Sequence, residues 1–143
     1  MRRLLSAGVA LALAAVPLSS CKEVEESSSA GYEPSKLEAV KGTDVKRVTL
    51  TAEGARRAGL QTAQVERVGP HTVVPYAALI YDAEGKTYVY AREKPLSYLR
   101  EEVKVDRIEG DRVLLSDGPP AGSAVVTVGA FEAYGTELEI ASG

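Results

Sequence analysis

Six carboxylates, Asp82, Glu84, Asp106, Glu109, Asp111 and Asp117, come closest in number and spacing to a set that could do acid–base chemistry. A β-rich protein that hydrolyses a substrate commonly does so with two carboxylates facing one another across the bond. Each of these six, however, falls at a turn signal or on the wet side of an alternating strand, where an acid bonds local backbone or keeps a loop soluble. His71 is the one histidine, placed just after the stop signal Gly69-Pro70, with no Cys, His or acidic cluster beside it. A zinc site needs three or four protein ligands, and nucleophilic catalysis needs a nucleophile and an orienting acid around the base. His71 is therefore read as a partly exposed loop residue. There is no Gly-x-Ser-x-Gly elbow, phosphate-cradling glycine loop or Cys-x-x-Cys pair. The expectation is a non-enzymatic chain with no metal and no cofactor.

The tyrosines offer binding rather than catalysis. With no Trp and one Phe, the seven tyrosines supply nearly all the aromatic surface. Tyr76, Tyr88, Tyr90 and Tyr98, with Tyr81 among them, form the candidate contact surface. Tyr88 and Tyr90 share a face of a regular strand, an arrangement that serves cross-strand packing as well as a ligand platform.

Cys21 is the only cysteine in the chain, and it follows Arg2 and Arg3, an apolar run over residues 4–18 and the small residues Ser19 and Ser20. This is the three-part layout of an export signal, with a run of 15 residues that is short for a membrane span. Leu18-Ser19-Ser20-Cys21 resembles the bacterial lipobox, which implies cleavage before Cys21 and diacylation of its sulfur. A lone cysteine in an exported protein has no internal disulfide partner, and lipidation accounts for it. Two acyl chains bury enough methylenes for stable anchoring where one does not. Residues 1–20 are read as a lipoprotein signal peptide and the location as the bacterial cell envelope, with the domain facing the extracytoplasmic space.

Residues 21–44 comprise the lipidated cysteine and a polar tether with Ser27-Ser28-Ser29, Gly31, Pro34 and Gly42 and no sustained period, read as a disordered linker. Such a flexible stretch has a typical reach of roughly 25 to 30 Å. Residues 45–140 are read as the single folded domain. Formal charge is −3 from 17 basic and 20 acidic residues, and removing Arg2 and Arg3 with the signal leaves 15 against 20, or −5. That balance argues against nucleic acid, whose binding needs a clustered basic face.

Elements follow from period and punctuation. Residues 45–50 read as a strand, Thr51 as the N-cap of a short helix over 52–58 and Gly59 as its left-handed stop. Residues 60–68 form a strand whose alternation shifts at Val65. A strand begins at 73, with Pro75 suited to a strand end, and residues 77–81 continue as a strand. Asp82-Ala83-Glu84-Gly85 makes a turn, and residues 87–91 return as a β-branched and aromatic strand. Residues 97–108 alternate as one strand, 112–116 and 124–128 follow, and 131–134 make one helical turn. The fold class is mainly β: a small antiparallel β-barrel or sandwich with one short N-terminal helix.

Two blocks carry a family likeness. VTLTAEGARRAGLQTAQVE (residues 48–66) resembles the start of the mature core of periplasmic adaptor subunits, the membrane fusion proteins of bacterial efflux systems. VVPYAALIYDAEGKTYVYA (73–91) and VKVDRIEGDRVLLSDGPPAGSAVVTVGA (103–130) are similar to the membrane-proximal β-barrel that closes the same proteins. The resemblance covers residues 45–138 and implies a non-enzymatic partner of an integral membrane transporter or of another adaptor. The lipoyl-like domain, helical hairpin and further barrel that full-length adaptors insert between the blocks are missing, since residue 66 lies about seven residues from Val73. The complete duct function therefore does not carry over. A chain whose only methionine is Met1 also lacks the soft ligands of copper-type adaptors. A free-standing envelope module, binding a small ligand or an envelope polymer through its tyrosines, is the alternative. Replacing Cys21 by Ser is expected to move the protein from the membrane to the soluble fraction with an unchanged thermal unfolding transition; loss of folding would show the division into signal, tether and domain to be mistaken.

Overall fold

The computed structural model describes residues 33–139. The signal, Cys21 and the first part of the tether lie outside the described residues. Over the described residues 33–139 the chain is mainly β, with eleven strands in two antiparallel sheets. A seven-stranded sheet holds β1 (Ser35–Ala39), β2 (Lys46–Leu50), β8 (Ser97–Glu102), β7 (Thr87–Lys94), β11 (Ala124–Val128) and β3 (Gln61–Gln64) in that order, with β6 (Ile80–Tyr81) also paired to β7. A four-stranded sheet holds β4 (Glu66–Val68), β5 (His71–Pro75), β10 (Arg112–Asp117) and β9 (Lys104–Glu109). Both sheets keep free edges, so of the two predicted architectures the structure takes the sandwich and closes no barrel.

Two predicted strands are in fact pairs of strands bent from one sheet into the other. Residues 60–68 break at Val65 between β3 and β4, and residues 97–108 break at Val103 between β8 and β9. Both valines are buried in the same core cluster. Their backbone groups stay paired through the bend: Val65 N–H donates to the Ser123 carbonyl at 2.8 Å and Val103 N–H to the Thr87 carbonyl at 2.9 Å. A bent strand that switches sheets is how two sheets form a corner, and these paired groups remove the usual cost of breaking the ladder. The shift in alternation at Val65 is the sequence trace of one corner.

Residues 77–81 are not the continuous strand predicted. Tyr76–Ala78 form a single 3-10 turn, and only Ile80 and Tyr81 pair, with Tyr88 and Thr87 of β7. Here the chain leaves the four-stranded sheet after Pro75 and enters the seven-stranded one, and the tight turn covers that step. Residues 35–39 also depart from the predicted disordered tether. They pair in register with β2, Leu37 opposite Val48 and Glu38 opposite Arg47. Their polar composition hides a strand because Leu37 alone packs inward, against the cluster around Val48.

The seven-stranded sheet is buried on both faces. Toward the four-stranded sheet, Val89 and Val125 join Val65, Val74, Leu79, Val103, Val113 and Leu115. On the other face, Tyr90 and Val126 join Val48, Ile80 and Tyr98 beneath Ala130 and Ala133 of helix α2 (Ala130–Glu137). Neighbouring residues of one strand thus serve opposite cores, which is why β7 and β11 read as continuous apolar runs rather than alternating ones. The predicted turn at 131–134 is an eight-residue helix. Isolated helices this short are marginal in water, so packing on the sheet decides its length.

Helix α1 (Ala52–Arg57) has the predicted cap, with the Gly54 N–H donating to Thr51 Oγ1 at 2.9 Å. Gly54 is also where the chain segment leading into β1 comes closest. A Cβ added there would meet the Pro34 carbonyl oxygen at 2.4 Å and Thr51 Oγ1 at 3.1 Å. In an open helix Gly→Ala gains about 1 kcal/mol. Here Gly54→Ala is expected to lose about 1 to 3 kcal/mol instead, the cost of overpacking. Urea unfolding checks the sign, and a gain in stability would show that Pro34 is not held against α1.

Candidate functional site

Of the four tyrosines predicted as a contact surface, three are internal. Tyr88, Tyr90 and Tyr98 are 9%, 0% and 3% exposed, whereas Tyr76 and Tyr81 are 47% and 46% exposed. The correction has a simple cause. Tyr88 and Tyr90 do share a face of β7, but α2 lies over it. Four consecutive apolar residues, 88–91, were the available signal that this strand is covered on both sides.

What those buried rings build is an ionic clamp. Glu137, at the last turn of α2, is 2% exposed. Arg100 of β8 reaches its carboxylate with Nε at 3.2 Å from Oε1 and 3.1 Å from Oε2, and with Nη2 at 3.1 Å from Oε1. The Tyr90 hydroxyl donates to Oε2, and the Lys46 N–H donates to Oε1 at 3.2 Å. The Arg100 guanidinium also lies over the Tyr88 ring at 4.6 Å and the Tyr134 ring at 5.4 Å, a cation–π arrangement on two sides. Burial opposes the charge on Arg100, but the bonds to Glu137 outweigh it and hold the guanidinium above its usual pKa. Burial first, and the Glu137 carboxylate second, push the Tyr90 hydroxyl far above the usual phenol range. Sequence reasoning missed this group because its members are 37 and 47 residues apart.

Tyr76 and Tyr81 form the surface pair. Burial, followed by the charge and hydrogen bond of Tyr76, raises the Tyr81 hydroxyl above its ordinary pKa. The Tyr76 N–H donates to the Asp111 carbonyl at 2.7 Å, fixing the 3-10 turn against the β9–β10 turn. Asp111 also lines a cleft of about 220 Å³ with Ala63, Gln64, Val73, Pro75 and Arg112, where Arg112 and Glu66 pair at 3.3 Å. The cleft mixes apolar Ala63, Val73, Val74 and Pro75 with Gln64, Asp111 and the exposed Glu66–Arg112 pair, and Tyr76 follows Pro75 directly, an arrangement that suits contact with another surface.

Four of the six carboxylates singled out in the sequence have local partners. Asp82 Oδ1 accepts from the Glu84 and Lys86 N–H groups at 3.0 and 2.8 Å and so closes its turn. Asp106 and Glu109 flank Arg107 at 3.5 and 2.6 Å, and Asp117 faces Lys104 at 3.6 Å. His71 is not in a loop but opens β5, because the Gly69-Pro70 turn is only two residues long. Its Nε2 stands 3.9 Å from Asp106 Oδ2, and its buried Nδ1 has no hydrogen-bond partner. Among the described residues no group of three or more His, Cys, Asp or Glu side chains is arranged to hold a metal ion. Comparison with protein-family models, curated proteins and solved structures gives no match to this chain.

The clamp makes two variants informative. Glu137→Gln leaves the Arg100 charge buried without its counter-charge and is expected to cost about 3 to 5 kcal/mol. Tyr90→Phe removes one donor to the carboxylate, for about 1 to 3 kcal/mol. Because the folded state holds the Tyr90 proton that the unfolded chain loses near pH 10, this contribution is intact below about pH 10 and is lost as pH rises beyond it. Urea unfolding across alkaline pH should show a shallower decline in Tyr90→Phe than in the unsubstituted protein.

Proposed function

We propose that the chain is a non-enzymatic, lipid-anchored envelope module that resembles the membrane-proximal domain of efflux adaptor subunits. It binds the extracytoplasmic face of an integral membrane transporter, or a partner adaptor, and modulates it. One observation carries the reading. The two adaptor-like blocks, 48–66 and 73–130, contribute together to both cores: Val65 lies in one cluster with Val74, Val89, Val113 and Val125, and Val48 in the other with Ile80, Tyr90, Tyr98 and Val126. Pieces that an adaptor separates by whole inserted domains are joined here by a turn at Gly69-Pro70 and still pack as one unit, which is what a domain reduced to the membrane-proximal part requires.

The contact surface in this reading is the Tyr76–Tyr81 pair beside the Arg112 cleft. Half-exposed tyrosines bury large area at little cost in side-chain entropy, and such residues dominate binding energy at interfaces. A lipid anchor at Cys21 adds to this by confining module and transporter to one surface, which raises their effective concentration. No proton transfer or covalent step is involved.

Affinity capture from native membranes tests the proposal. The unsubstituted protein is expected to recover a transporter component, and Tyr76→Ser with Tyr81→Ser to recover roughly tenfold less, the effect of losing about 1.4 kcal/mol. Both residues are on the surface, so the double variant should keep its unfolding midpoint. Capture of an envelope polymer with no transporter component would favour the alternative of a free-standing polymer-binding module.

A further inference from the structure

Two large apolar side chains, of helix α2 and its C-cap, face away from the sheet. Phe131 is 65% exposed and Leu138, just past the last turn, is 44% exposed. They stand seven residues apart, two helical turns, and so lie in one stripe with Gly135 between them. A Cβ at Gly135 would meet nothing within 4 Å, so the stripe is open along its length. Val128, at the end of β11 and three residues before Phe131, is exposed as well. The inner side of the helix is fully committed to Ala130, Ala133 and Glu137, so this outer stripe has no part in holding the fold.

The path of the chain says what covers it. Glu132, Ala133 and Thr136 of α2 line one small cleft together with Pro34 and Ser35, so the segment arriving from the N-terminal side meets the domain beside this helix. Only residues 22–33 separate Pro34 from Cys21. A chain of twelve residues spans about 20 Å as a random coil and about 40 Å when fully extended. A folded domain of this size is about 35 Å across. A tether attached at α2 therefore brings the α2 side to the bilayer far more readily than the opposite side.

Charge narrows the kind of surface. Glu132 flanks the stripe, and Glu139 follows it, paired with Lys46 at 3.2 Å. These acids disfavour a strongly anionic surface and leave apolar burial as the source of attraction. We infer that the Phe131–Leu138 stripe of α2 docks in the interface of a zwitterionic lipid bilayer, holding the anchored domain in a fixed orientation with α2 against the headgroups. An exposed aromatic and an aliphatic side chain on one helix face are the side chains that enter this zone, and the helix need not cross the membrane. The inference rests on lipidation of Cys21.

The chain has no tryptophan, so a single indole reports on one position. The acylated full-length protein with Phe131→Trp is placed in phosphatidylcholine vesicles, alongside Tyr81→Trp as a reference on a different surface. Docking predicts emission at shorter wavelength for Phe131→Trp and several-fold stronger quenching by brominated acyl chains than for Tyr81→Trp. Adding Leu138→Ser should reduce both effects, and the unfolding midpoint of each variant shows that the fold is kept. Equal, water-like emission from the two indoles overturns the inference while co-flotation with vesicles leaves the anchor intact. A shift that grows with protein density and with cross-links between copies assigns the stripe to a second copy. A shift seen in native membranes but not in pure lipid assigns it to a membrane protein, and either result overturns lipid docking. Failure of the unsubstituted protein to float with vesicles overturns the anchor, and the inference with it.

Discussion

A carboxylate that is 2% exposed is tolerable only if several donors converge on it, and the placement of Glu137 depends on that condition. The donors come from three neighbouring strands: Lys46 of β2, Arg100 of β8 and Tyr90 of β7. Tyr90 and Arg100 are also direct cross-strand partners. A slip of one residue between β7 and β8 would turn one of them to the other face and leave a buried charge unpaired. The clamp therefore selects the register of the central strands as well as the position of α2. Pure hydrophobic packing against alanines would not make so sharp a choice.

With α2 fixed, the seven-stranded sheet becomes the middle layer of three. Val89 and Val125 point to the four-stranded sheet while Tyr90 and Val126 point to the helix, so β7 and β11 contribute to both cores. The corners at Val65 and Val103 let one chain supply both sheets without leaving backbone groups unpaired. Two layers alone would leave Tyr88, Tyr90 and Tyr98 in water. Their burial removes three of the five candidate tyrosines from any contact surface and leaves Tyr76 and Tyr81, which the 3-10 turn and short β6 hold outward.

The outside of the domain then has two separate features that packing does not explain. One is the tyrosine pair beside the Glu66–Arg112 cleft, the other the apolar stripe on α2. In the proposed reading the first meets a protein and the second meets lipid. In that reading the two would orient the module together, the stripe and the anchor holding the domain on the bilayer and the tyrosine pair facing a membrane partner.

Local residue chemistry was enough to determine the mainly β class, the Thr51 cap, the Asp82 turn and the strands from β10 to β11, because each depends on period, capping or turn preference over a few residues. It was also enough to expect a leader and tether ahead of the domain. Four things were decided only by tertiary structure. The bends at Val65 and Val103 require a second sheet to receive the strand. The strand Ser35–Ala39 is stable only beside β2, which supplies its hydrogen bonds. Helix α2 is too short and too weakly patterned to exist without the sheet. The clamp, and with it the choice of which tyrosines are inside, brings together residues from 46 to 137 that no local pattern relates. Contacts of that separation are chosen by the packing of the whole chain, which is why the tyrosines were visible as a group in the sequence but their division into core and surface was not.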